Sequence, residues 1–185
     1  MRRLAVVLLV ILLLAVIVSP AKAEPKLKYD FQYLFKWTAS VMGIEIDPKK
    51  PQPALKMMPE KELLLLYEKK NGTKLPETDK DGKMIKIRLD GFYEVAKNSI
   101  YMADEINRQG ETLEETIVHE IVHYFQYFYR PSIFNDLTCL KEPDPSINCP
   151  WEREARAIEK FFRLKHGLTI TDEDLKEIFS QSLIK

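Results

Sequence analysis

The chain has 185 residues, and its 28 lysine and arginine side chains are balanced by 28 aspartate and glutamate side chains. A chain of this length accommodates one compact domain, and the balanced charge excludes the basic excess with which nucleic-acid-binding proteins contact phosphate groups. We therefore expect a single domain and no nucleic-acid partner.

The amino-terminal segment has the features of an export signal. Two arginines precede an unbroken apolar run at 4–18, and the sequence Ala-Lys-Ala at 21–23 has small residues at the two positions that a signal peptidase recognises. The run is shorter than the roughly 20 apolar residues of a membrane-spanning helix, and an uncleaved anchor is the alternative. We predict that residues 1–23 are a cleaved signal peptide. Residues 24–185 are then one mildly acidic domain, periplasmic or secreted, without a stable membrane span.

Two helices and a connector are predicted at the start of this domain. Aromatic and aliphatic side chains recur at helical spacing in 29–42. A second helix is predicted at 59–70, since Pro59 suits a first turn and Asn71 with Gly72 suits an exit. Between them, residues 47–59 include four prolines. These prolines disfavour a helix, so we predict an irregular connector there.

Three short antiparallel strands are predicted next. Residues 83–89 alternate basic and apolar side chains, although imperfectly. Residues 92–96 and 99–102 flank a turn at Lys97 and Asn98. This pattern predicts a small antiparallel β-meander. The edge at 99–102 could pair with an extended peptide by strand addition, or it could be an ordinary sheet edge.

A long helix is delimited on both sides. Thr112 and Glu115 have the spacing of a capping box, which marks a helix start. Pro131 ends the helix, so we expect it at 112–130.

The remaining chain combines an irregular segment with two helices. Residues 131–150 include four prolines and are expected to be irregular. Residues 151–166 have strong helical periodicity, and a last short helix is expected from about Thr171. Taken together, the elements predict an α+β fold, mostly helical, with the meander packed beside the 112–130 helix.

Residues 119–123 of that helix are His-Glu-Ile-Val-His, and the spacing of the histidines is that of a metal site. Four residues apart on a helix, His119 and His123 share one face and can bind the same zinc ion. Glu120 lies next to them, where it can take a proton from a water that the zinc acidifies. The alternative is a coincidental motif on a structural helix. Two of the three histidines of the chain share a helical face around a glutamate, which favours the interpretation of the motif as a metal site.

A catalytic zinc site needs a third protein ligand beside an open position. The metzincin pattern would have glycine and histidine where this chain has Gln126 and Tyr129, which excludes that class. The candidate segment is Trp-Glu-Arg-Glu-Ala at 151–155. The apolar face of this predicted helix includes Glu154 more nearly than Glu152, so burial alone favours Glu154.

In these two motifs the sequence resembles the gluzincin metallopeptidases, in which His-Glu-x-x-His is followed on a later helix by Glu-x-x-Ala. The resemblance covers about 112–164. It implies that Glu152 is the third zinc ligand and that Ala155 is the small residue that lets the two helices approach. The sequence departs from the pattern at Arg156, where many gluzincins have an acidic residue that supports a ligand.

The resulting expectation is an exported zinc metallopeptidase that hydrolyses peptide or protein substrates, with Glu120 acting first as general base and then as general acid. The alternative is a non-catalytic zinc-binding or structural domain that binds a cell-envelope or extracellular partner. Intact Glu120 argues against that alternative, and Arg156 argues for it.

The only two cysteines, Cys139 and Cys149, lie in the segment between the two motif-bearing helices. An exported chain folds where a disulfide can persist, so we predict that they are bridged. Two unpaired buried thiols are the alternative. Neither cysteine belongs to a Cys-x-x-Cys pair, which argues against a metal role for them.

Overall fold

A computed structural model describes residues 27–72, 74, 89–104, 112–135 and 149–168. Within these ranges the chain forms five α-helices and three strands, and the fold is α+β and mostly helical, as predicted. In chain order the elements are α1 (Phe31–Val41), β1 (Ala54–Met58), α2 (Glu60–Asn71), β2 (Gly91–Glu94), a 3-10 turn (Val95–Lys97), β3 (Ser99–Ala103), α3 (Leu113–Tyr129), α4 (Pro131–Phe134) and α5 (Pro150–Lys165).

Several predictions fall on residues outside the described ranges. They are the signal peptide at 1–23, most of the predicted strand at 83–89, Cys139 and the last helix from Thr171. These stay predictions. Along the described ranges, no helix combines the length and the apolar character needed to cross a membrane.

Helices α1, α2, α3 and α5 lie where the sequence predicts them, within one or two residues at each end. The start of α3 shows why. The Thr112 hydroxyl accepts the Glu115 N–H, and the Glu115 carboxylate accepts the Thr112 N–H at 2.5 Å, which completes the capping box. Helix α2 ends at Gly72, whose φ of 66° is a left-handed conformation that glycine adopts without strain.

The sheet is mixed, which corrects the predicted antiparallel meander. Its strand order is β1-β3-β2, and β3 pairs in parallel with β1 but antiparallel with β2. All five residues of β3 are buried. A strand with neighbours on both edges and cover on both faces has this burial pattern. The prediction that 99–102 is a sheet edge able to add a peptide strand is therefore wrong.

Two segments that were predicted from their prolines to be irregular contain regular elements among their described residues. These are β1 within 47–59 and α4 within 131–150, and residues 136–148 lie outside the described ranges. Strand β1 lies between Pro53 and Pro59, so every residue that pairs with β3 retains its N–H group. These prolines bound the strand without interrupting it. Helix α4 begins at Pro131, in a first turn where a missing N–H costs no hydrogen bond.

Helix α3 lies at the centre of the hydrophobic core. Its apolar side chains pack against α1, α5 and the sheet face that carries Ile100 and Met102. The fully buried apolar residues of α3 are Ile117, Val118, Ile121, Val122 and Phe125. The most extensive helix–helix contact is between α3 and α5, and Ala155 of α5 is fully buried in the same core. This packing brings the first turn of α5 beside the histidines of α3.

Candidate metal centre

Three side chains from two helices converge at the contact between α3 and α5. The Nε2 atoms of His119 and His123 lie 3.1 Å apart. Glu152, in the first turn of α5, places Oε2 3.3 Å from Nε2 of His119 and Oε1 3.5 Å from Nε2 of His123. Among the described residues, these three form a group that could hold a metal ion.

Glu154, the alternative third ligand, contacts a different set of residues. Its carboxylate accepts a hydrogen bond from Nη1 of Arg130 at 2.5 Å and another from Nε2 of Gln126 at 3.0 Å. Glu154 is the more buried of the two glutamates, as the apolar face of α5 suggested. Its buried carboxylate, however, contacts Arg130 and Gln126 and not the histidines. The structure brings Glu152, and not Glu154, to the histidines.

Each histidine is also contacted on its second ring nitrogen. Nδ1 of His119 lies 3.0 Å from Oε2 of Glu159, and Nδ1 of His123 lies 2.9 Å from Oε1 of Gln126. A hydrogen on Nδ1 leaves Nε2 with the lone pair that can bind a metal ion. Sequence reasoning missed both partners. The available signal was spacing, because Glu159 lies about two helical turns after Glu152 and Gln126 lies about one turn after His123.

Glu120 lies on the buried side of the same helix. Glu120 is 6% exposed, and the backbone of Tyr93 in β2 favours the ionised form of its carboxyl group, which lowers its pKa slightly. Burial raises the pKa of Glu120, against the opposing effect of the charges on His123 and His119. A raised pKa brings a carboxyl group closer to the neutral range in which a general acid–base catalyst works.

The cluster stabilises positive charge at its centre. Burial would lower the pKa of His119, but hydrogen bonds to the carboxylates of Glu152 and Glu159 outweigh it and raise the pKa to about 10. Burial would raise the pKa of Glu152, but hydrogen bonds from His119 and His123 outweigh it and hold the pKa well below its usual range. A metal cation held between these groups would take over the stabilising role of the protons.

Strand β2 approaches the site so closely that its first residue has no room for a side chain. A Cβ atom on Gly91 would lie 2.5 Å from Sδ of Met102 and 3.3 Å from Cγ of Glu120. Met102 is fully buried and has little space in which to move. Glycine at this position therefore allows the strand to lie against Glu120.

Cys149 is fully buried and lies directly before α5, three residues ahead of Glu152. Its predicted partner, Cys139, is outside the described residues, so the disulfide stays a prediction.

Comparisons of the chain with protein-family models, with curated proteins and with solved structures found no match. Its function is therefore inferred from the geometry of the site.

Proposed function

We propose that this chain is a zinc-dependent hydrolase that cleaves peptide bonds. The proposal is based on the convergence of His119 and His123 of α3 with Glu152 of α5. Glu120 lies on α3 between the two histidines. Two imidazoles and one carboxylate are one of the sets of protein ligands found in catalytic zinc sites that keep one open position. The resemblance to gluzincin metallopeptidases implies the same set of ligands.

The spacing of the donor atoms supports zinc. Ligand atoms bound to a tetrahedral zinc ion at the usual bond lengths are about 3.3 Å apart. The nitrogen–nitrogen distance of 3.1 Å and the nitrogen–oxygen distances of 3.3 and 3.5 Å are close to that separation. Imidazole donors also suit zinc better than magnesium or calcium, which take oxygen ligands.

Glu120 is the proposed acid–base catalyst. Zinc held at the site would supply Lewis-acid polarisation of the substrate carbonyl and a lowered pKa for the attacking water. The Glu120 carboxylate takes a proton from that water as the new carbon–oxygen bond forms. It then gives the proton to the amine nitrogen as the carbon–nitrogen bond breaks. Burial of Glu120 limits the movement of the carboxylate between the two transfers.

The alternative, a non-catalytic domain that binds an envelope or extracellular partner, gained its support from Arg156. That position lacks the acidic residue expected to support a ligand. In this chain, however, Glu159 and Gln126 contact the Nδ1 atoms of the two histidines. Since both histidines have such partners, we favour the hydrolase.

Zinc stoichiometry tests the proposed site. Elemental analysis of the zinc-supplemented protein is expected to find about one zinc per chain, lost in His119→Ala and in Glu152→Gln, since a neutral amide oxygen binds zinc poorly. Glu62→Gln is the control, because it neutralises an exposed glutamate of α2 outside the site, and it should retain zinc. A folded wild-type protein without zinc, or a Glu152→Gln variant that keeps it, would contradict the proposal.

We further infer that the enzyme is exported, with residues 1–23 removed and Cys139 bridged to Cys149. The apolar amino-terminal run and the two cysteines support this inference. Amino-terminal sequencing of protein recovered outside the cytoplasm is expected to begin at Glu24, and thiol titration after denaturation without reductant is expected to find no free thiol. An intact amino terminus would contradict cleavage, and free thiols would contradict the bridge.

A further inference from the structure

Hydrogen bonds around Gln126 connect the candidate metal centre to the core. Gln126 is completely buried, and its Oε1 lies 2.9 Å from Nδ1 of His123. Its Nε2 donates to the carbonyl oxygen of Trp151 at 2.8 Å and to Oε2 of Glu154 at 3.0 Å. Both ends of the amide are therefore engaged.

These contacts allow one orientation of the Gln126 amide. A rotation of the amide by half a turn would place Oε1 against the Trp151 carbonyl and the Glu154 carboxylate, so that acceptors would face acceptors. Because Oε1 can only accept, Nδ1 of His123 carries the hydrogen. The lone pair of Nε2 is then directed to the side where Glu152 lies.

Glu154 is held in turn by an arginine. Nη1 of Arg130 donates to Oε1 of Glu154 at 2.5 Å, and Nη2 donates to the carbonyl oxygen of Met42. The Glu154 side chain is only 10% exposed, and the ion pair with Arg130 offsets the cost of burying its carboxylate. A charged acceptor also strengthens the hydrogen bond that it receives from Gln126. Arg130 and Met42 cap the carboxyl ends of α3 and α1, which anchors the network in the core.

We propose that Gln126 is a positioning residue of the metal centre, and that the ion pair between Glu154 and Arg130 fixes Gln126 in the orientation that it needs. This inference rests on the proposed zinc site. Gln126 acts through His123, whereas His119 has its own partner in Glu159. Removing Gln126 therefore weakens one ligand, and partners of this kind change metal affinity by about 10–100-fold.

Zinc affinity of the full chain, measured by competition with a chromophoric chelator, tests the proposal. Gln126→Met keeps the length of the side chain and removes its polar atoms, and we expect the Kd for zinc to rise about 10–100-fold. Gln126→Glu sets a carboxylate against Glu154 and the Trp151 carbonyl, and we expect a similar rise.

An exchange variant distinguishes positioning from packing. Gln126→Glu combined with Glu154→Gln places an amide donor at position 154 opposite a carboxylate at position 126, which still accepts from His123. We expect this exchange to recover about tenfold of the affinity that Gln126→Glu loses. Gln32→Met is the matched control, because Gln32 is an exposed glutamine of α1, and this variant should bind zinc like the wild type.

The possible outcomes separate this proposal from the zinc site itself. Equal zinc Kd values for the wild type and Gln126→Met, or an exchange variant no better than Gln126→Glu, would overturn the positioning role and leave the zinc site intact. A wild-type protein that binds no zinc would overturn both. Urea unfolding of each metal-free variant identifies any that fails to fold. If Gln126→Met does not fold, the zinc Kd values of Gln126→Glu and of the exchange variant decide whether Gln126 has the positioning role.

Discussion

Glu120→Gln should lower the rate of peptide hydrolysis by about 10²–10⁴-fold while leaving the zinc content unchanged. The amide has the shape of the carboxyl group but cannot take a proton from water. Glu120 is outside the group formed by His119, His123 and Glu152, so its replacement removes none of the proposed ligands. Catalysis and metal binding are therefore expected to separate in this variant.

The measurement is kcat/KM on a pool of fluorogenic peptides, with zinc determined on the same samples. Glu62→Gln is the matched control, because Glu62 is an exposed glutamate on α2, far in sequence from the site. It should match the wild type in both rate and zinc content. Undiminished hydrolysis by Glu120→Gln would show that another group moves the proton.

Arg163→Met should lower the free energy of unfolding by about 3–5 kcal/mol. Nε of Arg163 donates to Oε1 of Glu115 at 2.6 Å, and the Glu115 side chain has no exposed surface. The second oxygen of Glu115 accepts the Thr112 N–H at 2.5 Å, so the same carboxylate caps α3 and joins it to α5. Loss of the guanidinium would leave a buried charge without its cation.

Urea unfolding in the presence of a chelator measures this effect without a contribution from bound metal. Arg163→Met combined with Glu115→Gln should recover more than half of the lost stability, because the double variant buries no charge. Arg153→Met, which removes an exposed arginine of the same helix, should stay within about 0.5 kcal/mol of the wild type. If Arg163→Met unfolds like this control, the ion pair contributes no stability.

The helices could be predicted from the sequence because the signals that bound them are local. The capping box of Thr112 and Glu115 and the glycine after α2 each act within a few residues. The sheet could not be predicted in the same way. Its parallel ladder pairs Ala54 with Ser99, and no local pattern states which strand will be central.

The candidate site was predictable where it lies on one helix and less so where it joins two. The spacing of His119 and His123 on a helix follows from the sequence alone. The choice between Glu152 and Glu154 depends on how α5 packs against α3, and periodicity ranks residues by burial without identifying their partners. Periodicity does not reveal the ion pair between Arg130 and Glu154. Arg130 neutralises Glu154 and allows that glutamate to be buried away from the histidines.

The parallel pairing of β1 with β3 has a consequence for the nascent chain. During synthesis β1 emerges before β3, and residues 59–98 separate the two strands. Until β3 has emerged, β1 has no partner and could associate with another copy of the chain through its free edge. Pro53 and Pro59 lie on either side of β1 and supply no N–H group, which limits the length of edge that a second chain could extend. The two prolines that made this segment look irregular in the sequence therefore also limit aggregation through β1 before β3 has been synthesised.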